Sequence, residues 1–320
     1  MKTAMLLFSV FLSMASTAQG QNFPERPIRI IVPFAPGGGT DISARMIAGP
    51  MQAGLGQPVI VENRAGASGS IGTDAVAKAT PDGYTLTMGS GGTMTINHQM
   101  AVVPYEPAKD FIPVGMVATN VLALVTTPSF PVKTVQELIA VLKAKPGGYN
   151  YSSPGTGTPH QLTMELFVAQ TGTKITHIAY KGSGPSISDL VGGQVQLAFE
   201  TISPVMPHIK SGKLNVIATS GLRRSPELPD VPTIAESGLP GFESFSWYGL
   251  LAPAGTPKLV VDRLNRELQK ALQIEEIRQR LTSMGAAPAP GTSEQMGEHI
   301  KAETAKWGKV IKALNLKASS

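Results

Sequence analysis

The 320-residue chain has no cysteine, which removes thiolate nucleophiles, disulfide staples and cysteine-ligated zinc from consideration. Charge is also scarce: Asp, Glu, Lys and Arg make up 15% of the residues, against about a quarter in an average soluble chain. The 27 basic and 22 acidic side chains leave a net +5, yet the longest basic run is Arg223-Arg224. Nucleic acid is therefore excluded as a partner, because binding it needs a clustered basic stripe that displaces counterions. The five histidines form neither HxxxH nor HExxH, so no metal site is expected. Beyond the first twenty residues no apolar run approaches the ~18 residues of a membrane span.

What is present is a chain that is 42% hydrophobic with 34 glycines and 26 prolines. Such a chain folds, and its length suggests two domains. Lys2, an uncharged apolar stretch from Ala4 to Met14, and the small residues Ala15-Ser16-Thr17-Ala18 read as a secretory signal peptide over residues 1–20, cleaved after Ala18 or Gly20. The mature chain is then expected to be exported and soluble.

Short β-branched runs alternate with Gly/Ser/Thr/Pro loops and helical periods. Strands are predicted at Ile28–Val32, Pro58–Val61, Tyr84–Met88, Tyr149–Ser153, Ile175–Ala179, Val195–Phe199 and Leu214–Thr219. Capping boxes are predicted at Thr134/Glu137 and Thr158/Gln161, and Thr256-Pro257 is expected to cap a helix carrying Val260, Leu264, Leu268 and Leu272. Pro50 should kink or end the first helix. Strands alternating with helices imply an α/β fold with mainly parallel sheet.

Two glycine approaches to helix starts stand out, Pro36-Gly-Gly-Gly39-Thr40-Asp41 and Pro154-Gly155-Thr156-Gly157-Thr158. Neither carries the third glycine of a dinucleotide fingerprint, no GxxxxGK[ST] is present, and no serine sits in GxSxG. Such loops do offer unpaired backbone N–H groups at the positive end of a helix, which suits a carboxylate. Turn and cap chemistry alone also accounts for them.

The order of short motifs adds to this reading. Arg26 to Asp41, Gly56-Gln57-Pro58, Val61-Glu-Asn-Arg64, Pro81-Asp-Gly-Tyr-Thr85, Tyr151 to His160, Tyr180-Lys-Gly182, Pro229 to Thr233, Trp247-Tyr-Gly-Leu250 and Ala252 to Pro257 run through almost the whole mature chain. Together they resemble the substrate-binding proteins of tripartite tricarboxylate transporters, the Bug receptors. The resemblance implies a two-lobed periplasmic binding protein fold of the type II-like kind, each lobe a mixed, mainly parallel sheet flanked by helices, with the ligand in the interlobe cleft. Residues 21–121 plus 243–320 would form lobe 1 and residues 122–242 lobe 2. It implies a periplasmic, monomeric, cofactor-free receptor that binds a small organic carboxylate and delivers it to membrane permease subunits of a tripartite transporter.

Carried onto this chain, the family's ligand-binding loops select Ala35, Gly39, Thr40 and Asp41 on one lobe. On the other they select Ser153, Thr156, Gly157, Thr158 and His160. Asp41 is explained equally well as a helix N-cap. Glu200, just past a predicted strand, is expected either to face the cleft, where it would repel a second carboxylate, or to be a solvated loop residue. Trp247 and Tyr248 line an aromatic pocket or pack in the core. Two other functions compete: an exported α/β hydrolase or transferase using Ser153 with His160, and a ligand sensor that docks on a signalling partner.

Overall fold

The computed structural model describes residues 23–283 and 285–317; the expected signal peptide lies outside the described residues. In chain order the longer elements are β1 (Ile28–Val32), α1 (Gly39–Leu55), β2 (Val59–Asn63), α2 (Ser70–Ala77), β3 (Thr85–Ser90), α3 (Asn97–Met100), α4 (Pro107–Asp110) and β4 (Phe111–Thr126). There follow α5 (Val135–Ala144), β5 (Asn150–Ser153), α6 (Pro159–Thr171), β6 (Thr176–Ala179), α7 (Ser183–Val191), β7 (Leu197–Thr201), α8 (Ile202–Lys210) and β8 (Asn215–Thr219). The last are β9 (Phe245–Pro253), α9 (Lys258–Gln273), α10 (Glu275–Ser283), β10 (Ala286–Pro288) and α11 (Ser293–Ala313).

The strands lie in the order β2-β1-β3-β9-β4-β7-β5-β6, with β8 and β10 also on β4. The two outer groups, β2-β1-β3 and β7-β5-β6, are parallel, while every pairing made by β4 or β9 is antiparallel. The sheets are thus more evenly mixed than strand–helix alternation suggests, because β4 and β9 run back against the strands they join.

β4 holds the molecule together. Its 16 residues pair with β9 from Phe111 to Val121, then with β7 and β8 from Leu122 to Thr126. Alternate side chains on a strand point to opposite faces. Leu122 and Leu124 accordingly enter one apolar cluster with Tyr151, Phe167 and Phe199, and Ala123 and Val125 enter another with Ile187, Leu190 and Val205. The same division occurs at the other end. Ile28, Ile30 and Val32 of β1 face a cluster with Ile47, Leu264 and Leu268, whereas Ile31 faces Met94, Trp247 and Met296. Each half of the sheet therefore has apolar packing on both faces.

Two helix-start expectations change, and so does the one made for Pro50. At α5, Thr134 accepts from the Glu137 amide (3.1 Å), but the Glu137 carboxylate accepts from Lys133 rather than from the cap residue (2.7 Å). The reciprocal box forms instead at α11, between Thr292 and Gln295. Thr256 donates to the Pro253 carbonyl and leaves Pro257 as the cap of α9. α1 runs through Pro50 to Leu55 and closes on left-handed Gly56 (φ 71°), so the proline neither ends nor shortens it. Burial of Ile47, Met51 and Leu55 against β1 and α9 holds that last turn despite the lost backbone bond.

The chain passes between the two halves of the sheet along β4 and again near Ser244. Buried Ser220 connects these passages. Its hydroxyl accepts from the Leu122 amide (2.9 Å) and donates to the Ser244 carbonyl (2.6 Å), and its backbone bonds to both residues as well. Ser220→Ala leaves one buried donor and one buried acceptor unpaired. The expected loss is about 1 to 3 kcal/mol in urea unfolding; a loss below about 0.5 kcal/mol would show that the connection carries no stability.

Candidate functional site

Three helix starts converge. Gly38 is the N-cap of α1, Thr158 that of α6 and Gly182 that of α7, each following a strand of a parallel group. Gly38, Thr40, Thr158, His160 and Ser183 line one small cavity together with Phe34, Ser90, Pro154, Pro159, Ser246 and Tyr248. No Lys or Arg is among the lining residues. The cavity measures about 20 Å³, space for about one water.

Close approach explains the glycines. A Cβ on Gly39 would lie 2.5 Å from the Tyr248 hydroxyl, and one on Gly182 would lie 2.9 Å from the Ala35 amide nitrogen. The Ala35 amide donates to the Lys181 carbonyl (3.0 Å), joining the first glycine loop to the loop before α7. The second glycine loop packs elsewhere: a Cβ on Gly155 would meet Ser68, and one on Gly157 would meet Asn97. Thr158 Oγ1 accepts from the Gln161 amide (3.5 Å) as the predicted box requires, but the Gln161 side chain returns to the Gly157 amide (2.7 Å) rather than to Thr158, and Thr158 Oγ1 also donates to the Gly155 carbonyl (2.8 Å). By helix geometry, the first-turn amides of Gly39, Thr40 and Asp41 have no acceptor within α1.

Asp41 is not the N-cap; it is a first-turn residue whose carboxylate accepts from the Gly37 amide, Arg45 and Asn63, each at 3.0 Å. Burial pushes its pKa up, but these bonds outweigh it and hold the carboxyl below its ordinary value. Ser153 is fully buried beneath its loop, with its hydroxyl 2.7 Å from His177 Nε2. The imidazole paired with it is therefore His177, stacked on Tyr151, and not His160. Tyr248 reaches the cavity, whereas Trp247 packs in the core behind it.

Glu200 lies within β7, fully buried, so it is neither a loop residue nor solvated. It accepts from Ser183 (2.8 Å) and Ser186 (3.3 Å), and its Oε2 comes within 3.5 Å of His160 Nε2. Neither ring nitrogen of His160 has a hydrogen-bond partner. Burial pushes the Glu200 carboxyl up to about 8 and the His160 imidazole down to about 3. Both groups are then uncharged near neutral pH, and the acid does not oppose an anion in the cavity.

Of the ten residues selected from the sequence, the structure puts Thr40, Thr158 and His160 on the cavity, with Gly39 beside it and Glu200 behind Ser183. Ala35, Asp41, Ser153, Thr156 and Gly157 are not among the lining residues. Phe34, Ser90, Ser183 and Ser246 were not selected, and Tyr248 takes the first of the two places read for it, on the pocket lining. Ser183 had a usable signal, since Gly182-Ser183-Gly184-Pro185 follows a strand and opens a helix as the other two loops do.

The family model described as "Tripartite tricarboxylate transporter family receptor" matches residues 43–316. Protein BugT of Bordetella pertussis is 40% identical over 313 residues, covering 97% of this chain and 96% of its own. Among solved structures, an R. palustris protein with adipate is 36% identical with a TM-score of 0.90, covering 92% of this chain and 99% of its own. The periplasmic binding protein BugD is 36% identical with a TM-score of 0.89, over the same shares of the two chains.

Glu200 sets a pH dependence. Its folded-state pKa of about 8 lies above the ordinary 4.5, so the folded state holds a proton that the unfolded chain gives up. The resulting destabilisation is absent below about pH 4.5 and grows until about pH 8. Glu200→Gln lacks it, so the melting temperature of the variant relative to wild type should rise between pH 5 and pH 8. A gap that stays constant across that range would refute the buried, protonated carboxyl.

Proposed function

Because the chain belongs to the tripartite tricarboxylate transporter receptor family, we propose that it captures a small organic carboxylate, a dicarboxylate in first place, and hands it to membrane permease subunits. It is a binding protein, not an enzyme, as its family and its structural neighbours are. The adipate held by a 36% identical neighbour supports the ligand class. The periplasmic placement of BugD supports a location outside the inner membrane, reached through the signal peptide read at residues 1–20.

The observation that carries this reading is the convergence of α1, α6 and α7 on a cavity without a cationic side chain. Each helix start presents about half a positive charge together with unpaired amides. Hydroxyls of Thr40, Thr158 and Ser183 stand at the same ends. A carboxylate bound there is held by α1 from one half of the sheet and by α6 and α7 from the other. In this reading residues 23–121 with 243–317 form one lobe and residues 122–242 the second. The anion is desolvated only when the lobes meet, so binding energy drives closure. The protein acts as a monomer, with the remaining selected residues shaping the two loops.

Thermal melts with succinate, malate, glutarate, adipate and citrate test the ligand class. At least one should raise the melting temperature and be recovered chemically unchanged; no shift with any of them would overturn the carboxylate assignment. Thr40→Val keeps the shape of the side chain and removes a donor to the charged ligand, so affinity for that acid should fall about tenfold. An unchanged dissociation constant would remove Thr40 from the site.

A further inference from the structure

A second cavity, about 430 Å³ in volume, lies away from the converging helix starts. One wall is α2 and the stretch from Asn97 to Pro104; the opposite wall is Thr156 and Gly157 of the second glycine loop. The two walls belong to different halves of the sheet, so the cavity is complete only while those halves are together. Its rim is apolar and open to solvent: Val102 is fully exposed and Ile71 is 57% exposed, and both are among the few large apolar side chains on the surface. Clustered exposed apolar residues mark a contact surface.

Two acceptors are buried unpaired behind the lining. Asn97 is 4% exposed; its amide nitrogen donates to the Ser68 carbonyl (2.9 Å), which fixes the orientation, and its Oδ1 has no partner. Asp74 gives Oδ2 to Lys78 (2.7 Å) and leaves Oδ1 unpartnered. Asp74 is the only ionisable residue on the lining. Apolar walls that end in carboxylate and amide oxygens match a long basic side chain, whose methylenes pack while its head donates.

We propose that this cavity is the docking site for the membrane partner, entered by a Lys or Arg side chain on an apolar-flanked extramembrane segment. The proposal rests on the delivery role given above. A receptor with its halves apart presents only one wall, so the partner recognises the closed, loaded form. A side chain wedged between the walls also pushes apart the loop that ends at Thr158, which links docking to release.

The test uses the full chain in the source bacterium lacking its chromosomal copy. Uptake of a radiolabelled acid that raises the melting temperature is compared with binding of the same acid to the purified protein. Ile71→Asp/Val102→Asp and Asp74→Lys should bind the acid within about twofold of wild type but lose tenfold or more of the uptake. Val102→Ile should restore uptake to the wild-type rate. Wild-type uptake in the double variant or in Asp74→Lys overturns the docking site, as does a loss of binding that matches the loss of uptake. If the wild-type chain itself gives no uptake, delivery fails and the docking site falls with it, whereas retained thermal shifts would leave carboxylate binding standing.

Discussion

An anion taken out of water must meet positive potential, and this chain has little to spare as side-chain charge. In the carboxylate-binding reading proposed above, the answer is geometric. Three strands end in glycine-containing turns, three helices begin there, and the backbone supplies the field that Lys or Arg would otherwise provide. Much else follows from that arrangement. Within each of the parallel groups β2-β1-β3 and β7-β5-β6 the strands end at one edge, so the helices that follow them start on the same side of that half. Gly39 and Gly182 let neighbouring atoms close to distances a Cβ would forbid. Glu200, bonded to the cavity-lining Ser183, is buried deeply enough that its carboxyl is pushed up to about 8.

Periodicity made the outer strands and the helices that open near Gly39, Thr134, Thr158 and Thr256 visible in the sequence, with strand boundaries off by at most two residues. Ile28–Val32 was found to the residue, because a continuous apolar run between polar flanks has one reading. The two central strands were not found. β4 is apolar on both faces, contains Pro113 and Gly115, and shifts register beside them, so it shows neither alternation nor clean ends. β9 is buried on both faces from Ser246 onward and has Gly249 in its middle. Their existence is decided by tertiary pairing, which local patterns do not report.

The site was legible in part for the same reason. Glycine loops before helices announce themselves, and the family resemblance picked Thr40, Thr158 and His160 out of them. Which histidine pairs with Ser153 depends on β5 lying beside β6, where Tyr151 registers with His177. Ser246 and Tyr248 lie on the strand that escaped detection. Asp41 looked like a cap because its type suits one, but Gly38 takes that position and leaves Asp41 to brace the loop through Gly37 and Asn63.

Ser220 has a mechanical consequence. The Ser220 hydroxyl, tied to both Leu122 and Ser244, continues the β4–β9 pairing past Val121 and Phe245, so the two passages of the chain form a single part rather than two independent tethers. Two free tethers would allow the halves to shear, twist and swing. In the proposed two-lobe reading, halves joined along that one seam keep one easy motion, rotation about it. The gap at the converging helix starts and the gap beside Asn97 then become two readings of one angle, as two marks on the same dial.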